Sequence, residues 1–129
     1  MTRCTIYSYV EIEELEINSA IEFIETPLFE SLRKELISDD EYRALQSDII
    51  VSPDIGQLIV GTGGLQKIRL AGSGSGKSGG YRSIYLLINP DTAYFLLLYK
   101  KGKKDTLTDS EKKVLKQISQ SIKREHDHE

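Results

Sequence analysis

Tyr81-Arg82-Ser83-Ile84-Tyr85-Leu86-Leu87-Ile88, then Asn89-Pro90-Asp91, then Thr92-Ala93-Tyr94-Phe95-Leu96-Leu97-Leu98-Tyr99-Lys100, is the stretch on which the fold turns. Two runs dense in Ile, Leu, Tyr and Phe flank three turn-forming residues, which reads as two strands and a tight turn. Strands so closely joined pair as an antiparallel hairpin. Gln66 to Ala71 has the same chemistry and supplies a third strand. Lys67 and Arg69 stand two apart in it, so both project from one face while Ile68 and Leu70 project from the other.

Working outward, residues 17–25 read as a first strand. Thr26 followed by Pro27 is a helix start, because the hydroxyl caps and proline suits the first helical position. Leu28, Phe29, Leu32 and Leu36 follow at helical spacing. Ser38 with Glu41 forms a capping box for a second helix, which buries Tyr42, Leu45, Ile49 and Ile50 and is stopped by Pro53. The pair is expected as an antiparallel helical hairpin. Thr108 with Glu111 opens a last helix, with Val114, Leu115, Ile118 and Ile122 in one stripe. The order predicts an α+β fold: a mainly antiparallel sheet of about four strands, an N-terminal helix pair and a C-terminal helix. The 129 residues divide into an N-terminal extension of uncertain order (1–16), one domain (17–125) and a polar tail (126–129).

The net charge of −3 hides a segregation along the chain. Residues 1–60 hold four basic residues against thirteen acids, a net of −9, whereas residues 61–104 hold eight against Asp91 alone, a net of +7. The basic block coincides with the strand pattern, so its charges are held in space and favour an anionic partner. A solvated basic face balanced by an acidic one is the plainer explanation of such a block. The longest apolar run, Ala93 to Tyr99, is far short of the ~20 residues of a membrane span. No signal peptide is read. Cys4 is the only cysteine, which rules out an internal disulfide and makes a reducing, cytoplasmic setting the expectation.

Two motif-like stretches carry no chemistry. Ala71-Gly72-Ser73-Gly74-Ser75-Gly76-Lys77-Ser78 imitates a phosphate loop, but strand-like Tyr81 to Tyr85 follows where a helix must begin. His126 and His128 supply only two metal ligands in a polar tail, so no metal or cofactor is expected. Attention falls instead on Lys67, Arg69, Arg82 and Lys101, with Lys77, Lys103 and Lys104 nearby. If the strands pair as proposed, these bases converge on one groove. Tyr81, Tyr85, Tyr94 and Tyr99 lie in the same region, where they either stack on nucleobases or pack half-buried in the sheet.

Several stretches, in order along the chain, resemble a known family. Phe23-Ile24-Glu25-Thr26-Pro27-Leu28-Phe29, with Leu36 to Gln46, is similar to the opening of HigB-type toxins of the RelE superfamily. Gly61-Thr62-Gly63-Gly64-Leu65-Gln66-Lys67-Ile68-Arg69 and Gly76-Lys77-Ser78-Gly79-Gly80-Tyr81-Arg82-Ser83-Ile84-Tyr85 resemble its core motifs, and Tyr99-Lys100-Lys101-Gly102 with Leu107-Thr108 completes the match. The resemblance spans about residues 20–120. It implies a small sheet packed by helices, mRNA cleavage in the ribosomal A site, and neutralisation by a HigA-like helix-turn-helix antitoxin. Through that antitoxin it implies indirect association with operator DNA.

By position, Lys67 and Arg69 match the family's basic pair, Arg82 its arginine on the scissile phosphate, and Lys101 a basic residue after the last strand. The implied catalytic set is therefore Lys67, Arg69, Arg82 and Lys101. Lys77, Tyr81, Tyr85, Tyr99, Lys103 and Lys104 are the expected RNA contacts. Gly102 stands where RelE itself has a further arginine, and no tyrosine follows near Leu107. The same fold also serves gyrase-binding ParE-like toxins, and a non-catalytic nucleic-acid module or a degenerate toxin would share the basic groove.

Overall fold

A computed structural model describes residues 6–10, 19–70, 80–101 and 107–127. In chain order the elements are β1 (Ile6–Val10), β2 (Ser19–Glu25), α1 (Pro27–Leu36), α2 (Asp39–Val51), β3 (Gln57–Leu58), β4 (Leu65–Arg69), β5 (Tyr81–Asn89), β6 (Thr92–Lys100) and α3 (Asp109–Asp127). The strands form one sheet in the order β1-β2-β6-β5-β4-β3. Every pairing is antiparallel except β2 with β6. The α+β class, the helix pair and the C-terminal helix are as expected. The sheet has two more strands than the sequence indicated: a short β3, and β1 within the segment read as an extension. At the other end α3 runs on to Asp127, into the stretch read as a tail.

The helix starts lie where their caps place them. The Thr26 hydroxyl accepts from the Phe29 N–H (3.2 Å) with Pro27 at the first helical position. Both bonds of the Ser38–Glu41 box form (2.9 and 3.1 Å), as do both of the Thr108–Glu111 box (2.9 and 3.1 Å). Each cap satisfies amides that a helix leaves without an internal partner, worth about 1 kcal/mol apiece.

The sheet separates two cores. On one face α1 and α2 bury Phe29, Tyr42, Leu45, Ile49 and Ile50 against Phe23, Ile68, Leu70, Tyr85 and Phe95. Phe95 stacks between Phe23 (5.3 Å) and Phe29 (4.6 Å), and the Tyr42 ring meets it edge-on at 5.8 Å. Beside this stack the fully buried Glu25 carboxylate accepts from Arg33 Nε (2.9 Å) and Tyr42 Oη (2.8 Å), and the Arg33 guanidinium lies over the Tyr42 ring. A buried carboxylate with two such donors costs far less than one without them. On the other face α3 seats Leu115 and Ile122 against Leu65, Ile84, Leu86 and Tyr94.

One irregularity sets the facing of everything after it. Tyr85 pairs with Phe95 and Ile84 with Leu97, leaving Leu96 as an extra residue in β6. Leu96 and Leu97 therefore both lie toward the α3 core, and the alternation resumes one step out of phase. The carbonyls at the bulge take side-chain hydroxyls. Thr26 Oγ1 donates to Leu96 O (3.1 Å) and Ser83 Oγ to Leu97 O (3.1 Å). Had the alternation run unbroken from Phe95 through Leu96, Tyr99 would face the helix pair.

Candidate anion-binding groove

In β4 the pleat sends Lys67 and Arg69 to the α3 face and Ile68 to the helix-pair face, the division expected from their spacing. The register with β5 carries the arrangement across strands. Lys67 stands opposite Ile84, and Arg69 opposite Arg82. Arg82 in turn stands opposite Tyr99 of β6. Residues directly opposite in an antiparallel pair share a face with Cβ atoms about 4.5–5.5 Å apart. Lys67, Arg69, Arg82 and Tyr99 thus occupy one patch, contributed by three adjacent strands. Lys101 extends the ladder, its N–H donating to Gly80 O (3.1 Å), and two residues beyond Tyr99 it falls on the same side.

The cations differ in exposure. Arg69 is open to solvent, Lys67 half-buried, and Arg82 only 7% exposed, so its guanidinium is fixed by its surroundings. Among the described residues no carboxylate lies within ion-pair distance of Lys67, Arg69 or Lys101; Arg33–Glu25, Lys34–Glu30 and Arg43–Asp40 pair elsewhere. Like charges directly opposite each other on a sheet are destabilising unless other groups offset them.

The tyrosines divide. Tyr99 shares the patch and is half-buried. Tyr85 does not: it is 0% exposed in the helix-pair core, and its hydroxyl accepts from the Gly56 N–H (2.9 Å) and reaches Pro53 O (2.9 Å) and the Gln66 amide (3.0 Å). Burial pushes this phenol's pKa up, the Gly56 N–H pulls it down and Asp54 raises it further. Tyr81 packs against the same core. Tyr94 is buried under α3. The expectation that Tyr81 and Tyr85 stack on bases is therefore corrected: odd-numbered residues of β5 face away from Arg82. Lys77, Lys103 and Lys104, with Gly102, lie outside the described residues.

The patch is bounded by the way α3 docks. The loop before β4 bends through Gly61, Gly63 and Gly64, all at positive φ. A Cβ on Gly63 would stand 2.6 Å from Ser119 Oγ, so only glycine fits there. Ser119 Oγ reaches Thr62 O (2.9 Å) and Lys123 Nζ donates to Gly63 O (2.6 Å), tying the middle of α3 to this loop. The first turns of α3 consequently flank Lys67. A hollow of about 210 Å³ opens there, lined by Gln57, Ile59, Lys67, Leu107 and Lys112 among others. A second, of about 320 Å³, is lined by Leu97, Leu107, Val114 and Leu115 with Ser110 and Glu111. Gln57 and Lys112 lie outside the motifs that the sequence displays. The signal for Gln57 is its place opposite Lys67 in the β3–β4 pairing.

Fold and groove together define a small three-layer α+β domain presenting a multi-strand cationic patch beside its C-terminal helix. The family model of the RelE toxin of the RelE/RelB toxin–antitoxin system matches residues 29–129. The chain belongs to the RelE toxin family and is a toxin of a toxin–antitoxin system, with an antitoxin as its implied partner. Among the described residues no helix is long and apolar enough to cross a membrane.

Proposed function

We propose that this toxin is a ribosome-dependent mRNA endoribonuclease of the HigB kind, neutralised by a HigA-like helix-turn-helix antitoxin. The observation that carries this reading is the cross-strand placement of Lys67, Arg69 and Arg82 on one face, with Tyr99 and Lys101 beside them. In the proposed step the 2′-oxygen of one nucleotide attacks the adjacent phosphorus. The bond from phosphorus to the 5′-oxygen breaks, leaving a 2′,3′-cyclic phosphate and a 5′-hydroxyl. Arg82 and Arg69 stabilise the charge that builds on the phosphoryl oxygens, a task suited to cations already fixed in place. Lys67 assists removal of the 2′-hydroxyl proton, and Lys101 protonates the leaving oxygen or clamps the phosphate. Tyr99, half-buried on the same face, is the tyrosine we assign to stacking on a base.

No histidine belongs to the set, so ordinary acid–base groups are scarce. The ribosome contributes the alignment of the codon, an effect worth several kcal/mol in well-oriented reactions. Association with operator DNA runs through the antitoxin.

Primer extension on cellular transcripts after induction tests the proposal. Cuts within translated codons are expected. Arg82→Ala should lower cutting by roughly a hundredfold or more while the protein stays folded. Uncut transcripts together with DNA-damage signalling would assign the toxin to the gyrase-binding group instead. A folded Arg82→Ala variant cutting at the wild-type rate would remove Arg82 from the mechanism.

A further inference from the structure

We propose that the hollow beside Lys67 is a nucleobase-reading subsite, in which the Gln57 amide meets the edge of one base and Lys112 holds a flanking phosphate. This rests on the reading of the groove as an RNA site and adds what that reading lacks, the determinant of base preference. Gln57 lies directly opposite Lys67, so its side chain leaves the sheet on the face that carries the cations. It is exposed, and among the described residues no hydrogen bond engages its amide. A carboxamide offers two donors and an acceptor, the complement a base edge needs. Ile59 and Leu107 supply apolar walls against which the flat of a base rests. Lys112, in the first turn of α3, puts a second cation at the rim, its stem running past Gly61.

The neighbouring hollow fits a base less well. Its wall is largely aliphatic, and the Glu111 carboxylate there already accepts from the Thr108 N–H. A base seated in it would leave its polar edge without partners, which is costly. Lys67 joins the Gln57 hollow to the cationic patch, so a strand crossing Arg69 and Arg82 delivers its next base there. RNA-reading proteins commonly take an unstacked base by its edges in this way.

The test is equilibrium binding of four single-stranded pentanucleotides, all-A, all-C, all-G and all-U, with 2′-deoxy sugars so that none is cut. Wild-type protein should rank them with a spread of at least about fivefold, the discrimination that one well-made amide–base contact supplies. Gln57→Ala should collapse that spread to under about twofold while the mean affinity stays within a similar factor. Gln57→Glu, which replaces donors by an acceptor, should reorder the ranking toward bases with an exocyclic amino group. Lys112→Ala should weaken all four alike and flatten the salt dependence by about 0.7 in log–log slope.

An unchanged ranking in Gln57→Ala, or no ranking in the wild type, overturns the subsite and leaves the groove assignment standing. If an antitoxin side chain is the true occupant of the hollow, the first of these results appears. Wild-type protein that binds none of the strands at low salt overturns the groove assignment itself.

Discussion

Under α1 and α2 residues of β2, β4, β5 and β6 join one core; on the α3 face the core gives way to cations. The helix-pair face uses its polar groups internally. Glu25 serves Arg33 and Tyr42, and Tyr85 serves Gly56, Pro53 and Gln66. The other face is apolar where Leu115 and Ile122 sit, and then becomes cationic at Lys67, Arg69 and Arg82. The strands are the same in both cases. What differs is the phase of each strand's alternation, so a single set of backbone hydrogen bonds supports a core on one side and a charged groove on the other.

The difference is broken most severely from the helix-pair side. Phe95→Ala removes the ring held between Phe23 and Phe29, and urea unfolding should show a loss of about 3–5 kcal/mol. Its groove residues keep their register, so whatever folded protein remains should bind single strands with the wild-type salt dependence.

Tyr85→Phe is a smaller break of the same side. Leaving the Gly56 N–H without its acceptor should cost about 1–3 kcal/mol at neutral pH. The phenol's pKa is raised in the folded state, so its contribution is whole below the unfolded value of about 10 and is lost as pH climbs through the folded one. Wild-type stability should therefore fall toward the Tyr85→Phe value above about pH 10, and a constant gap from pH 8 to 11 would contradict this.

The smallest effect has the opposite sign. Arg69→Ala relieves the repulsion across the β4–β5 pair and should stabilise the free protein by roughly 0.2–1 kcal/mol, read as a raised unfolding midpoint. The same change should weaken binding of single strands.

Much of this was legible beforehand, for identifiable reasons. Local chemistry decides caps, turns and periodicity, so Thr26-Pro27, the Ser38–Glu41 and Thr108–Glu111 boxes and the hairpin from Tyr81 to Lys100 could be read directly. The shared facing of Lys67 and Arg69 follows from the pleat alone. The exclusion of Tyr81 and Tyr85 from the groove was also available from alternation, since both are out of phase with Arg82. The facing of Tyr99 was not, because it depends on the extra residue at Leu96, whose carbonyl is satisfied by Thr26 seventy residues away. β3 is two residues long, too short for any periodicity, and it alone reveals Gln57 beside Lys67. The parallel pairing of β2 with β6 depends on a contact remote in sequence.

If separate strands present one anion site, nuclear magnetic resonance titration with an uncleavable single strand reads it directly. Signals of Lys67, Arg69, Arg82, Tyr99 and Lys101 should move together along one saturation curve, while those of α1 and α2 hold still. Shifts centred on the helix pair, or separate curves for Lys67, Arg69 and Arg82, would contradict it.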